Sequence, residues 1–549
     1  MTRFARRVLA PVVLLLLLAL PSLARIDAGR FLDQRPRLVL VVVIDQFRAD
    51  YLTRHLARFL PARGKGGEPG GFRALMEGGA YFPQARTEVL QAMTCPGHLT
   101  LFTGAYPART GVPLNRWYRP DLGRVAYGVE DPNFASVGAA AGDAAVGASP
   151  RLVRGTTFGD ELKLAGLGSR VVSIALKDRA AVPMGGRLAD AAIWFDAEKF
   201  RWTSSRYYVP EGALPAWVEA ENAALDKRRG EPVVWEASGP GDGRSDDADA
   251  AGFSVRAKVG ESDALHTPLG VELTVRMAKA ALHALGLGKG RGPDVLAVSF
   301  STHDAVGHER GPNSRMMEEL TVVEDRALAD LLGEVARSVP GGLRDVVIVL
   351  TADHGIPPRP AYLAPRRVPT GLLAEKDLAK TVEERLTRVF GKPSKGPWLR
   401  GAEDFNFFLN PDAMTERNAD PVQVEDEAKS ALAETAGIAA VFSASDVEAG
   451  TLPAAYRVSI ERSYVPGVSG DVVAVPEPYF MNDYAETTHM TGYSYDATIP
   501  LLLAGPHVRP GVYATRAEPI DLAPTLSFLC GVVPPPISEG RVLDEALGE

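Results

Sequence analysis

Cysteine is scarce here: 549 residues include two, Cys95 and Cys530. Two thiols cannot build a cage of four cysteines, or of three cysteines and a histidine, so any bound metal must be held by histidine and carboxylate. A disulfide-dense scaffold is excluded as well. An exported chain could pair the two cysteines, and the sequence leaves that open. Positive charge is also in deficit. Lys and Arg number 60 against 68 Asp and Glu, a net charge of −8, which offers no basic face to a nucleic acid. A site for anions in such a chain must gather its own local positive charge. Apolar runs of membrane-spanning length are missing too. The run from Val8 to Leu20 is about 13 residues, short of the ~20 that a helix needs to cross a bilayer.

That run has a different meaning. Arg3, Arg6 and Arg7 precede it, and the small residues of Ser22-Leu23-Ala24 follow. Residues 1–24 therefore read as a cleaved secretory signal. The expectation is a periplasmic or secreted protein with no stable membrane partner after cleavage. The remainder, 25–549, is long enough for a large catalytic domain, and 46% hydrophobic with 23% charged residues is ordinary globular composition.

Short runs rich in Val, Ile and Leu read as buried strands: 38–44, 170–176, 294–300, 345–350 and 498–504. Nearly continuous apolar character suits parallel strands covered on both faces. Helical patterns at 271–286 and 316–338 lie between them. The expected fold is α/β, a mostly parallel central sheet with helices on both faces. Stretches near 183–252 and 415–470 read as an inserted cap and a small subdomain, with a surface loop at 239–252.

Polar groups follow these strands closely. Asp45 ends the first, Lys177-Asp178-Arg179 the second, His303-Asp304 and His308 the third, and Asp353-His354 the fourth. Ligands bind at the carboxyl ends of strands in open α/β sheets, and helix capping is a poor explanation for four such groups together. Asp304 and His308, four apart, can aim at one ion from a helical turn. His489 stands in a polar loop before the last strand. Imidazole and carboxylate are the donors zinc takes when thiolate is absent. His55, His266, His283 and His507 lack acidic company of this kind and read as ordinary surface or core histidines. His98 reads as packing or orienting its loop, and His303 as lying outside the ligand set.

The set Asp45, Thr94, Asp304, His308, Asp353, His354 and His489 resembles the two-zinc site of the alkaline phosphatase superfamily. The likeness is nearest to the phosphate-irrepressible bacterial alkaline phosphatases with a threonine nucleophile. TCPGHLTLFTG, GVPLN, LKDRAAV, FSTHDAVGH, TADHG, THMTGYSYD and IDLAPTLSFLCG carry it in order along nearly the whole mature chain. The resemblance implies two Zn2+. Asp304, His308 and His489 would hold one; Asp45, Asp353 and His354 would hold the other, with Thr94 as its reactive ligand. It also implies that Asn115, Lys177 and Arg179 contact the transferred phosphoryl group, and that the substrates are small phosphate monoesters. Lys177 and Arg179 are expected to point the same way from an extended segment. Thr94 is expected to cap the helix that begins at Cys95 and Pro96.

Rival readings are constrained by residue type. Sulfatases need cysteine or serine where Thr94 stands. Phosphodiesterases and nucleotide pyrophosphatases share the ligands, but use an apolar pocket in place of a charged pair such as Lys177 and Arg179. A zinc-binding pseudoenzyme would have lost a ligand or the nucleophile, and none is missing.

Overall fold

All five apolar runs become strands that lie side by side, four of them parallel. A computed structural model describes residues 34–137, 146–238 and 252–548. The expected signal at 1–24 and nearly all of the loop at 239–252 lie outside them. The central sheet has nine strands: β1 (Leu38–Ile44), β2 (Ala80–Arg86), β3 (Val171–Ala175), β4 (Ala191–Asp196), β5 (Arg201–Thr203), β6 (Asp294–Phe300), β7 (Val346–Thr351), β8 (Thr498–Ala504) and β9 (Gly511–Val512). Their spatial order is β9-β2-β8-β7-β1-β6-β3-β4-β5. The five neighbours β7-β1-β6-β3-β4 are parallel.

Every residue of β1, β6 and β7 is buried, which requires cover on both faces. Helix α1 (Thr94–Thr103) follows β2, and α2 (Asp178–Gly185) follows β3. Helix α3 (Pro268–Ala284) precedes β6, while α4 (Thr302–Arg310) and α5 (Arg315–Ser338) follow it. Helices α2 and α3 both pack on β3 and β6. The inward face of α3 includes Leu273, Met277, Ala278, Ala281 and Leu282, the three-and-four spacing that marks an amphipathic helix. Ser314 starts α5 by accepting a hydrogen bond from Met317 N at 3.2 Å.

Three expectations need adjustment. β8, one of the five apolar runs, is antiparallel to both β7 and β2. An apolar run says that a strand is buried and is silent about its direction. Within 183–252, β4 and β5 extend the central sheet, so this segment is not solely a cap. Only its later part stands apart, where Pro232–Glu236 pairs with Ser254–Lys258. Around 415–470 a second sheet does form, but it starts earlier. Its order is Leu399–Glu403, Asn406–Leu409, Val472–Pro476, Ile438–Ser443, flanked by helices Glu375–Phe390 and Pro421–Ala433. No helix among the described residues is long and apolar enough to cross a membrane.

Parallel register brings the chemistry together. Val43 of β1 lies beside Ser299 of β6 and Thr351 of β7, and Ser299 beside Ala175 of β3. The residues just past these four ends are Asp45, Asp304, Asp353 and Lys177.

Candidate two-metal active site

The centre is built from three carboxylates and three imidazoles, all buried or nearly so. The ligand atoms of Asp45, Asp353 and His354 lie within 4.8 Å of one another, as do those of Asp304, His354 and His489. His308 Nε2 lies 3.2 Å from Asp304 Oδ1, and His489 Nε2 lies 3.7 Å from the same oxygen. His354 borders both groups, its ring stacked 3.5 Å from that of His489. Six of the seven side chains expected to hold metal, all but Thr94, are therefore brought to one place.

Each imidazole is held in the orientation of a metal ligand. Nδ1 of His354 meets Gly355 O at 3.0 Å, Nδ1 of His308 meets Thr487 O at 2.9 Å, and Nδ1 of His489 meets Ala92 O at 2.7 Å. A carbonyl can only accept, so each Nδ1 carries the proton and each Nε2 presents its lone pair. Three of the converging atoms, Asp45 Oδ1, Asp353 Oδ2 and His354 Nε2, are buried without a hydrogen-bond partner. Buried acceptors in that state are costly unless a cation satisfies them. The donor set, all nitrogen and oxygen, fits Zn2+.

Local electrostatics agree with this reading. Burial pushes the Asp45 carboxyl well above its ordinary range, and the neighbouring Asp353 charge adds to it. Burial acts on Asp304 too, but Lys177 and His308 outweigh it and hold the group well below the usual range. Asp353 is likewise lowered, since His354 and His98 overcome its burial. Burial lowers His354 and His489, favouring the neutral imidazole that a metal requires.

Thr94 is buried at the start of α1, and the local geometry corrects one expectation. Met93, not Thr94, occupies the cap position, with φ −144° and ψ 160° and no side-chain cap bond. Thr94 is already helical, so its hydroxyl is not engaged in capping. Gly97 lets α1 approach the metal groups: a Cβ there would lie 2.8 Å from Asp353 O. Gly104 ends the helix at φ 68°, as a left-handed C-terminal residue should. Cys95 is fully buried, which pushes its thiol up to about 12 and leaves it unreactive. Both cysteines are free, so they do not form a disulfide.

A cavity of about 100 Å³ is lined by Thr94, Asn115, Arg179, Asp304, His308 and His489, among others. Asn115 Oδ1 accepts from Cys95 N at 2.8 Å, which leaves its amide NH2 as the available donor. Lys177 and Arg179 do not share an extended segment. Lys177 is the last extended residue, at φ −100° and ψ 134°, and Arg179 lies in the first turn of α2. Their side chains accordingly part. Lys177 Nζ is 2.6 Å from Asp45 Oδ2 and also bonds Asp304 Oδ2, bridging the two carboxylate groups. Both acids raise its pKa against the effect of burial. Arg179 faces the cavity, its guanidinium 5.5 Å from the Tyr127 ring.

His98 links α1 to the cluster of carboxylates and imidazoles. Its Nδ1 lies 2.9 Å from Thr94 O and 3.2 Å from Asp353 Oδ2, and its Nε2 lies 3.1 Å from Ser299 Oγ. His303 stays outside, with Nδ1 2.9 Å from Glu324 Oε2. Two features are not legible in the sequence. Gln46 bonds the carboxylates of Asp353 and Asp304, and its only sequence signal is adjacency to Asp45. Glu403 and Asp404, from a hairpin of the second sheet, complete the cavity wall. Nothing in EDFN marks that role.

Comparison with known proteins agrees with this geometry. Residues 39–494 match the family described as type I phosphodiesterase / nucleotide pyrophosphatase. Alkaline phosphatase PhoV of Synechococcus elongatus is 30% identical, over 93% of each protein. The crystal structure of wild-type alkaline phosphatase PafA has a TM-score of 0.82 at 27% identity, covering 94% of this chain and 99% of that one. A PafA variant with a threonine, an asparagine, a lysine and an arginine replaced together has a TM-score of 0.80 at 26% identity, with the same coverage.

Proposed function

The chain belongs to the type I phosphodiesterase / nucleotide pyrophosphatase family, and we propose that within it this protein is an exported, zinc-dependent alkaline phosphatase. It hydrolyses small phosphate monoesters through a phosphothreonine at Thr94. The observation that carries the reading is the convergence of three tethered imidazoles and three buried carboxylates beside a cavity holding Thr94, Asn115 and Arg179. PhoV and PafA, similar over nearly their whole lengths, are alkaline phosphatases. The four residues replaced in the PafA variant have the same order and mutual spacings as Thr94, Asn115, Lys177 and Arg179. That correspondence supports giving these four the phosphoryl group.

Two bound Zn2+ would supply Lewis acidity and positive charge for the attacking and departing oxygens. Asp304, His308 and His489 would hold one, and Asp45, Asp353 and His354 the other. Thr94 gives up its hydroxyl proton to solvent, its Oγ1 forms a bond to phosphorus as the ester P–O bond breaks, and the released alkoxide takes a proton from solvent. Water oxygen then bonds to phosphorus and the Thr94 Oγ1–P bond breaks, giving inorganic phosphate and the free hydroxyl. Asn115 NH2, Lys177 and Arg179 stabilise charge on the non-bridging oxygens. The N-terminus of α1 adds its positive end to the same anion.

The family description favours a second reading, a phosphodiesterase. A diester carries one charge fewer and one substituent more, so Lys177 and Arg179 suit it less well. The test compares an aryl phosphate monoester with its methyl diester, before chelation, after it, and after zinc is restored. Faster monoester turnover that chelator abolishes and zinc restores is the expected result. A diester preference of orders of magnitude would overturn the monoesterase reading, and indifference to chelator would overturn the zinc reading.

A further inference from the structure

Gln46 follows Asp45 on the turn after β1 and is wholly buried at φ 71°, a conformation that non-glycine residues seldom adopt. Its backbone N–H donates to Asp353 Oδ1 at 3.0 Å, and its side-chain Nε2 donates to Asp304 Oδ1 at 2.7 Å. One residue thus holds a carboxylate from each metal group, while its neighbour Asp45 contributes a third. Strained backbone at such a junction persists only where its surroundings hold it.

We propose that Gln46 is a positioning residue that couples the two metal groups by fixing the carboxylates of Asp304 and Asp353. This rests on the two-metal reading above. On Asp353, Gln46 N and His354 N both occupy Oδ1, leaving Oδ2 without a hydrogen bond, 3.4 Å from His354 Nε2 and 3.2 Å from His98 Nδ1, whose proton goes to Thr94 O. On Asp304, Gln46 occupies one lone pair of Oδ1, the oxygen that His308 Nε2 and His489 Nε2 approach. Lys177 takes Oδ2. Both carboxylates are thereby turned to one orientation before a metal arrives. The carboxamide cannot be reversed, because its oxygen would then face the Asp304 carboxylate. Its Oε1 instead lies against α4 at Gly307, where a Cβ would stand 1.8 Å away. Gly307 is therefore the residue that gives the carboxamide room.

Gln46→Gly removes the side chain, keeps the N–H and relieves the positive φ. Gly307→Ala displaces the carboxamide from the opposite side and changes no ligand. For each variant and the wild type, three quantities are measured: zinc equivalents and affinity by chelator competition, thermal unfolding of the metal-free protein, and kcat and KM for an aryl phosphate. Expected for Gln46→Gly is metal-free stability at or above wild type, with affinity for at least one zinc equivalent weakened about 10–100-fold. Activity should fall at limiting zinc and be restored in part by excess zinc. Gly307→Ala should weaken zinc binding in the same direction. Wild-type affinity for both equivalents in both variants would overturn the role of Gln46 while leaving the enzyme reading intact. A wild-type protein binding fewer than two zinc ions would instead overturn the two-metal reading and this inference with it.

Discussion

Replacing Lys177 and Arg179 together by alanine should erase most of the preference for monoesters. A hydrogen bond to a charged group contributes about 1.5–3 kcal/mol, and ~1.4 kcal/mol of barrier is a factor of ten. Each contact to a phosphoryl oxygen is therefore worth roughly 10- to 150-fold in kcat/KM. Because neighbours are not additive, the pair should cost about 10²–10⁴ on a monoester. A diester offers one anionic oxygen fewer, keeps one such contact at most, and should lose no more than roughly 10- to 150-fold by the same reasoning. Rates alone would mislead. Lys177 also neutralises Asp45 and Asp304, so its loss disturbs the metal groups for every substrate. The ratio of monoester to diester kcat/KM cancels that shared effect. It should be measured at saturating zinc for the two single variants and the double. Arg179→Ala alone, whose guanidinium faces the cavity, should shift the ratio without the carboxylate disturbance. An unchanged ratio in the double variant would refute the argument that these cations select the dianion.

Other outcomes follow from the same geometry. Thr94→Ala should lower turnover by at least ~10³-fold, and acid-quenched wild-type enzyme should yield a phosphorylated peptide containing Thr94. Cys95→Ala should keep activity within a few-fold while costing stability on the order of 1 kcal/mol; loss of turnover there would refute Thr94 as the nucleophile. Asp496 is fully buried, accepts from Met490 N, Thr491 N and Thr491 Oγ1 on the His489 loop, and is pushed up to about 7 by burial. The folded protein therefore holds this proton up to about pH 7, while the unfolded chain releases it above the ordinary 3.8. Stability must fall as pH rises through that window, by at most about 4 kcal/mol. Asp496→Asn lacks the effect, so its Tm relative to wild type, metal-free, should climb between pH 5 and pH 8. A flat difference would show that Asp496 does not titrate there.

Much of the centre was legible because the chemistry sits where strands end. Asp45, Asp304 and Asp353 each follow an apolar run, and an apolar run marks a buried strand without reference to any partner. His308 was readable from its spacing to Asp304, which α4 realises as one helical turn. Resemblance to a family supplied Asn115, which shows no pattern of its own. What failed was local geometry that depends on neighbours. Thr94 was expected at the cap, yet Met93 takes it, because the chain enters α1 one residue earlier. Lys177 and Arg179 were expected side by side, yet α2 starts between them and sends one to the carboxylates and the other to the cavity. The direction of β8 and the early start of the second sheet were invisible for a related reason. Strand direction and subdomain limits are set by which segments pair.

The sequence by itself determined an α/β chain with a hydrophobic parallel core and with acids, imidazoles and a threonine placed after its strands. Periodicity and burial are properties of a segment, so they survive without the rest of the molecule. Only the tertiary structure decided that parallel register would bring Asp353, Asp45, Asp304 and Lys177 to one edge of the sheet. It also decided which imidazole nitrogen faces inward, and that Gln46 would hold two carboxylates at once. Those outcomes rest on hydrogen bonds between residues as far apart as Ala92 and His489, and no local pattern encodes a distance of that kind.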